Sequence, residues 1–292
     1  MKTSSTAVKN IPADDPEVIA VRSVDSRISD SITTRFNKQI WTKFRRGVRD
    51  YELILPGDRI AVCISGGKDS MLMAQCIARL RRNNEIPFEA EYVIMDPGYT
   101  PDNLKRIIDN AELLGIPAKV YSTRIFESAE KEDKHPCFLC ARLRRGWLYK
   151  KAQELGCNKI ALGHHFDDVI ETILMGMLYG SQMQTMMPKL KSENYEGVEL
   201  IRPLYLVRES DIIAWRGFNS LEFIRCACKV TEKKGEDGSK RAEIKKLIAQ
   251  LKQTNPAVEM NIFRSPENVN LRTLISYHSG DEYHHFLDDF HE

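Results

Sequence analysis

The sequence predicts an α/β protein with a doubly wound, mostly parallel sheet, an N-terminal helix and a C-terminal helical extension. Short apolar runs alternate along the chain with segments of helical periodicity. A glycine-rich turn joins the first of these runs to the helix after it, and further polar loops follow later runs. Alternation of strands and helices is typical of a parallel sheet covered by helices on both faces.

Composition limits the classes of protein that the chain can belong to. Of its 292 residues 42% are hydrophobic and 29% charged, which is typical of a soluble protein. No apolar run is long enough to span a bilayer, and residues 1–15 lack the apolar core of a signal peptide. We therefore expect a cytoplasmic protein without a membrane partner. Seven cysteines, an odd number, argue against a disulfide framework and favour metal or sulfur chemistry.

We expect three regions along the chain. Residues 1–29 form a flexible N-terminal arm, residues 30–225 an α/β domain, and residues 226–292 a C-terminal extension. A helical pattern over 31–51 opens the domain. Its polar face is either solvated or contacts RNA phosphates, and it carries basic side chains at Arg35, Lys38, Lys43, Arg45, Arg46 and Arg49.

The apolar runs and the periodic segments give the order of the elements. Strands are predicted over 59–64, 89–95, 118–122, 159–163 and 201–204. Helices are predicted over 71–80, 101–114, 141–151, 169–178, 209–215 and 241–253. Residues 182–190 are irregular, and the histidine-rich tail over 277–292 is expected to be solvated.

The turn after the first strand is a candidate phosphate site. Two glycines allow close approach of the backbone to an anion, and the free N–H groups of the following helix point towards it. A lysine adds positive charge and two serines add hydroxyl donors. The segment reads Ser65-Gly66-Gly67-Lys68-Asp69-Ser70 and lacks the spacing of a Walker A or dinucleotide motif.

Other loops at the carboxyl ends of strands should meet this turn, because open α/β sheets bind ligands at that edge. Asp96 follows the second strand, Gly163 ends the fourth, and His164 follows it. Asp167 and Asp168 come next and begin a helix. These two carboxylates either cap the helix or hold Mg²⁺, and we favour the second role.

Four cysteines form two close pairs. Cys137 and Cys140 lie at the start of a helix, where thiolates are favoured, and Cys226 and Cys228 come later. Four thiolates would make a structural zinc site, whereas three would hold a [4Fe-4S] cluster with one iron left open. Cys63 and Cys76 fall within a strand and a helix and are expected to be buried.

The glycine-rich turn resembles the PP-loop of the N-type ATP pyrophosphatases. Residues 135–149, 159–168, 179–180, 188–190 and 201–204, with the late cysteines, resemble the TtcA-type tRNA 2-thiocytidine synthetases within that group. This resemblance implies a HUP-type fold over the PP-loop ATPase domain. It also implies dependence on ATP and Mg²⁺, a [4Fe-4S] cluster on three cysteines and thiolation of a tRNA base, most simply cytidine.

Carried over position by position, the resemblance assigns the cluster to Cys137, Cys140 and Cys226. Arg225 replaces the family's proline and the second CxxC is shortened, so Cys228 is an alternative third ligand. Nucleotide contacts fall on the phosphate loop, Asp96, Gly163 and His164. Asp167 is the first candidate for Mg²⁺ or proton handling and Asp168 the second. Arg145, with Arg142 and Arg144, would stabilise phosphate charge or bind RNA.

The resemblance also implies partners for the reaction. These are tRNA, a sulfur donor, which is either a cysteine desulfurase or free sulfide, and a second copy in a homodimer. Two other functions stay open at this point. One is the same chemistry on a small molecule or another nucleoside, and the other is an ATP-binding zinc protein without thiolation activity.

Overall fold

The computed structural model describes residues 17–18, 26–130, 136–224, 239–288 and 290. The chain divides into two compact units. The first comprises Met1–Asp168 and Met187–Gly238, and the second comprises Val169–Met186 and Ser239–Glu292.

A seven-stranded sheet forms the centre of the first unit. Its strands are β1 (Glu17–Val18), β2 (Arg59–Ile64), β3 (Glu89–Asp96), β4 (Ala118–Ser122), β5 (Lys159–Ala161), β6 (Lys189–Lys191) and β7 (Glu199–Ile201). Their order is β1-β4-β3-β2-β5-β7-β6. The five inner strands are parallel, and the two edge strands β1 and β6 are antiparallel to their neighbours. The predicted doubly wound, mostly parallel sheet is confirmed.

The chain reverses its direction across the sheet between β2 and β5. It proceeds from β2 through β3 to β4 on one side, and then returns to β5 and β7 on the other. Val62 of β2 pairs with Tyr92 on one side and with Ala161 on the other. Such a switch point opens a crevice at the carboxyl ends of the two strands, where open α/β sheets bind ligands.

Helices cover both faces of this sheet, as expected for buried parallel strands. They are α1 (Ser26–Thr33), α2 (Thr42–Asp50), α3 (Lys68–Arg82), α4 (Pro101–Leu113), α5 (Ile125–Glu130), α6 (Pro136–Glu154) and α8 (Glu209–Phe218). Helix α7 (Phe166–Gly180) begins in the first unit, and from Val169 onwards it belongs to the second. Ile32, Phe44, Leu72 and Trp215 belong to one buried cluster that joins the N-terminal helices to α3 and α8.

The structure differs from the sequence expectation near the N-terminus. The pattern over 31–51 is interrupted, because α1 ends at Thr33 and a π-helical turn over Asn37–Trp41 precedes α2. Helix α1 begins at Ser26, ahead of the expected boundary at residue 30, and Glu17–Val18 pairs with β4 inside the segment expected to be a loose arm.

The second unit contains most of α7, α9 (Lys240–Thr254), α10 (Val258–Arg264) and a hairpin of β8 (Ser276–Ser279) and β9 (Glu282–His285). Buried Glu171 of α7 lies 3.5 Å from Arg241 Nε and 3.7 Å from Lys245 Nζ of α9. The sequence predicted the helical extension but missed the hairpin. None of the helices in the described ranges is both long and apolar enough to cross a membrane.

Candidate nucleotide and metal site

The predicted phosphate loop lies between β2 and α3. Gly67 has an extended conformation, with φ of −80° and ψ of 162°, and caps α3, which begins at Lys68. The Ser70 hydroxyl accepts a hydrogen bond from the Ser65 N–H at 3.1 Å and donates one to the Gly67 carbonyl at 3.0 Å. This serine therefore fixes the curvature of the loop, while the first N–H groups of α3 are directed at its opening.

Two glycines at the site are required by close contacts. Gly66 has φ of +84°, and a Cβ there would overlap Ile107 and lie 2.9 Å from Ile224 Cδ1. A Cβ at Gly163 would lie 2.9 Å from the backbone nitrogen of Ser70. The loop after β5 therefore packs directly on the first turn of α3, and this packing brings the two predicted loops together.

A cavity of about 320 Å³ lies between these loops, at the carboxyl ends of β2, β3 and β5. Among the predicted site residues, it is lined by Ser65, Asp69, Ser70, Gly163, His164 and Asp168. Arg144 of α6 also lines it. Arg145, the arginine that the sequence favoured, is exposed and is not part of the lining. The rotation of α6 about its axis therefore places Arg144, and not Arg145, at the cavity.

Two carboxylates of the cavity fit a magnesium ion. Burial raises the pKa of Asp69, and Asp168 raises it further, against the attraction of His165 and Lys68. Asp69 Oδ1 is buried and accepts no hydrogen bond from the described residues, and His165 Nε2 lies 3.7 Å from it. Mg²⁺ is commonly held by one or two carboxylates together with substrate phosphates, and it would neutralise this pair.

The His165 ring lies close to both carboxylates, those of Asp69 and Asp168. Its side chain is buried, and its Nδ1 lies 3.4 Å from Asp168 Oδ2. Its backbone N–H donates to the same Asp168 oxygen at 3.0 Å. The sequence did not single out this histidine, although it stands in the polar loop that follows β5.

Asp167 is engaged outside the cavity. Its Oδ2 accepts a hydrogen bond from the backbone N–H of Glu209 at 2.7 Å, and its Oδ1 lies 3.7 Å from Arg208 Nε. It therefore caps the start of α8. Between the two adjacent aspartates, the structure brings Asp168 and not Asp167 to the cavity wall.

Lys68 lies between two carboxylates. Its Nζ is 3.1 Å from Asp69 Oδ2 and 3.0 Å from Glu209 Oε1. Burial alone would lower the pKa of Lys68, but these two carboxylates outweigh burial and raise it. Sequence reasoning missed Glu209, because it stands 141 positions after Lys68 and no motif connects the two residues.

Asp96 shapes a neighbouring loop and does not line the cavity. Its Oδ1 accepts hydrogen bonds from the N–H groups of Gly98 at 2.9 Å and Tyr99 at 2.7 Å. The Tyr99 hydroxyl in turn donates to the carbonyl of Ser65 at 3.4 Å. Asp96 thus fixes the position of Tyr99, which is in turn hydrogen-bonded to the phosphate loop.

Of the predictions made for the cysteines, the burial of Cys63 and Cys76 is confirmed. Cys63 and Cys76 are buried, and burial raises the pKa of the Cys63 thiol to about 12, so neither favours a thiolate. Cys137 is the second residue of α6 and Cys140 the fifth, and Cys140 is half-buried. Cys226 and Cys228 lie outside the described residues. Within the described ranges no three histidine, cysteine or acidic side chains converge on a metal site.

The switch point, the glycine-rich loop at a helix start and the acidic cavity define a nucleotide-binding protein of the PP-loop class. Residues 36–229 match the PP-loop domain family. The chain is 37% identical over 242 residues to the tRNA-cytidine(32) 2-sulfurtransferase of Geobacter sulfurreducens, covering 82% of this chain and 92% of that one. It is 34% identical over 252 residues to the enzyme of the same name from Geotalea uraniireducens, covering 85% and 96%. The chain therefore belongs to the PP-loop family and, within it, to the tRNA-cytidine(32) 2-sulfurtransferases.

One solved structure supports the fold. It is the U34-tRNA thiolase NcsA from Methanococcus maripaludis with its [4Fe-4S] cluster, which superposes with a TM-score of 0.61. The match covers 77% of each chain at 22% sequence identity. At this identity the likeness concerns the fold.

Proposed function

We propose that this chain is an ATP-dependent tRNA sulfurtransferase that replaces the carbonyl oxygen of a cytidine by sulfur. Cytidine 32 is the target named for its relatives. The observation that carries the proposal is the convergence of the phosphate loop, Asp69, Asp168 and Arg144 on one cavity at the switch point. A nucleoside triphosphate bound there would lie close to the N–H donors of the loop and to the guanidinium of Arg144. Two carboxylates would be available to hold its metal ion.

The chain's own residues activate the base. The phosphate loop and the N-terminus of α3 bind the pyrophosphate part of ATP, with Lys68 beside it. Asp69 and Asp168 would hold Mg²⁺, and the ion would offset the negative charge of the phosphates. The base oxygen attacks the α-phosphorus, the bond to pyrophosphate breaks, and AMP becomes the group that leaves when sulfur adds to the carbon. Arg144 stabilises the charge that develops on the phosphate.

We propose Cys137, Cys140 and Cys226 as ligands of a [4Fe-4S] cluster, with Cys228 as the alternative to Cys226. Two cysteines three positions apart at the start of one helix fit two corners of such a cluster, because the helix N-terminus favours thiolates. When bound, the cluster would hold sulfur as a deprotonated nucleophile. Arg142 and exposed Arg145 on the same helix are then available to RNA phosphates.

The remaining partners are part of the proposal. Sulfur comes from a cysteine desulfurase or from free sulfide, the enzyme acts in the cytoplasm, and two copies form a homodimer. The sulfur donor is identified by running the same reaction in two ways, once with cysteine and the desulfurase and once with sulfide alone. Light scattering measures the oligomeric state.

The test combines metal content with nucleoside analysis. Anaerobically purified protein is assayed for iron, sulfide and zinc, together with Cys137→Ala, Cys226→Ala and Cys228→Ala. We expect about four irons and four sulfides, lost in Cys137→Ala and in only one of the later pair. With ATP and sulfide, the wild type should form 2-thiocytidine in tRNA. Stoichiometric zinc that requires both later cysteines, without 2-thiocytidine, would contradict the proposal.

A further inference from the structure

The ammonium group of Lys68 is held on two sides by carboxylates of the protein itself. Asp69 is its neighbour in sequence, whereas Glu209 comes from α8, 141 positions later in the chain. The Lys68, Asp69 and Glu209 side chains are only 21%, 28% and 25% exposed. A lysine side chain loses up to about 2 kcal/mol of rotamer freedom when it is fixed. If neighbouring carboxylates already fix the Lys68 side chain, nucleotide binding no longer includes this loss of rotamer freedom.

Glu209 is itself fixed at its backbone. It is the first residue of α8, and its N–H donates to Asp167 Oδ2 at 2.7 Å. Ile212 and Trp215, one and two turns further along α8, are fully buried in the main core. The backbone of Glu209 is therefore fixed by the buried residues of α8 and by Asp167.

Asp167 and Lys68 are thus joined through a single residue. The Asp167 carboxylate holds the main chain of Glu209, and the Glu209 carboxylate lies 3.0 Å from Lys68 Nζ. Asp167 does not line the cavity, whereas Asp168 does. This arrangement gives the two adjacent aspartates different tasks.

We propose that Glu209 is a positioning residue for Lys68, and that Asp167 acts through Glu209 by fixing the start of α8. The proposal deepens the proposed function, because it rests on ATP as the ligand of the phosphate loop. It predicts that both acidic residues affect nucleotide binding only while Lys68 is present.

The test is a double-mutant cycle on the whole, anaerobically purified protein. Calorimetry with magnesium and a non-hydrolysable ATP analogue gives the Kd of the wild type, Glu209→Ala, Lys68→Ala and the double variant. We expect Glu209→Ala to weaken binding about tenfold, the equivalent of the rotamer freedom that Lys68 then loses on binding. In the Lys68→Ala background the same change should alter Kd by less than about twofold, because independent sites add and coupled sites do not.

Conservative variants separate positioning from support of the fold. Glu209→Gln keeps an oxygen that accepts from Lys68, so its Kd should lie within about threefold of the wild type. Asp167→Ala should weaken binding in a Lys68-dependent way, and Asp167→Asn, which keeps an acceptor for the Glu209 N–H, should restore most of it. Asp211→Ala is the matched control. Asp211 lies in the same turn of α8 and pairs with Lys43 at 3.1 Å, so binding should be unchanged.

Three results would overturn the positioning role while leaving ATP binding intact. The first is an equal loss of affinity for the analogue from Glu209→Ala with and without Lys68. The second is tighter binding of the analogue by Glu209→Gln. The third is the same loss of affinity in Asp211→Ala as in Glu209→Ala. Tighter binding would mean that Glu209 competes with phosphate for the lysine. Failure of the wild type to bind the analogue would instead overturn the proposed function, and the positioning role with it.

Discussion

Three glycines around the phosphate site serve three different physical purposes. Gly66 needs a left-handed backbone, and Gly163 needs the absence of a Cβ where two backbones meet. Gly67 has neither constraint. Its φ and ψ suit any residue, and a Cβ there would meet only Ser65 Oγ, at 3.8 Å. The space beside Gly67 is therefore open, as the phosphate binding proposed for this loop requires.

This difference leads to a prediction for Gly67→Ala. The free energy of unfolding should stay the same or rise by about 0.4–1 kcal/mol, because alanine restricts the unfolded chain and the native site is open. The affinity for ATP should fall at least about tenfold, since a methyl group separates the phosphate from the loop N–H groups. Urea unfolding and calorimetry measure the two effects separately.

Gly163→Ala is the matched variant for that experiment. Its methyl group would press on the backbone of Ser70, so it should lower both the stability and the ATP affinity. A Gly67→Ala protein that binds ATP like the wild type would show that phosphate does not approach the loop at this residue.

At the scale of single residues, the sequence predicted the members of the site better than their arrangement. Ser65, Asp69 and Ser70 of the phosphate loop line one cavity together with Gly163, His164 and Asp168. The sequence could not choose between adjacent residues, namely Asp167 and Asp168 or Arg144 and Arg145. That choice depends on how each helix is rotated against the sheet, and neighbouring positions on a helix differ by about 100°.

At the scale of elements, a buried ion pair joins the beginnings of the central strands, at the edge opposite the site. Lys159, the first residue of β5, has a side chain only 3% exposed, and its Nζ lies 2.8 Å from Asp58 Oδ2 just ahead of β2. Asp58 also accepts hydrogen bonds from Leu55 N–H at 2.6 Å and Asn158 Nδ2 at 2.8 Å. These contacts hold β2 and β5 in the register that forms the switch point.

This pair should determine part of the acid stability. Burial alone would raise the pKa of Asp58, but hydrogen bonds from Lys159, Leu55 and Asn158 outweigh it and lower the pKa below 3.8. A lowered folded-state pKa stabilises the fold above the unfolded value, and this stabilisation is lost as the pH falls below 3.8. Asp58→Asn should cost about 3–5 kcal/mol at pH 7, because Lys159 loses its nearest counter-charge.

Urea unfolding between pH 7 and pH 2.5 measures that dependence. The difference between the wild type and Asp58→Asn should shrink as the pH falls below 3.8. Asp109→Asn is the control, since Asp109 pairs with Lys105 on the exposed face of α4 and should shift stability by less than about 1 kcal/mol. A difference that stays constant across the whole pH range would contradict this role of the Asp58 charge.

Elements with a strong local signal were predicted closely, and elements stabilised by distant partners were not. Strands β2 and β4 coincide with their apolar runs, because both faces of a central parallel strand are covered. Strands β6 and β7 are three residues each and form by pairing with one another and with β5. The hairpin of β8 and β9 is largely exposed, so its sequence lacks the apolar alternation that identifies a strand.

At the scale of the whole molecule, a nearly neutral chain must bind a polyanion. The net charge is only +2, so attraction to tRNA depends on local clusters of positive charge. The basic face around α2 is one such cluster. Arg45 there pairs with Glu85, and Arg49 with Asp50. Lys38 and Arg46 are exposed and make no ion pair with any residue that the structure describes.

We therefore predict that Lys38 and Arg46 bind tRNA phosphates. Replacing both by alanine should weaken tRNA binding and reduce the slope of log K against log salt by about 0.7–0.9 for each phosphate that the variant no longer neutralises. ATP binding should be unchanged, because neither residue lines the cavity. Titrating labelled tRNA at several salt concentrations gives the slope.

The control replaces Lys105 and Lys252, which are paired with Asp109 and Glu259, and removes the same total charge. An equal change of slope in both double variants would reflect the overall charge of the protein and would rule out specific binding of phosphates on this face.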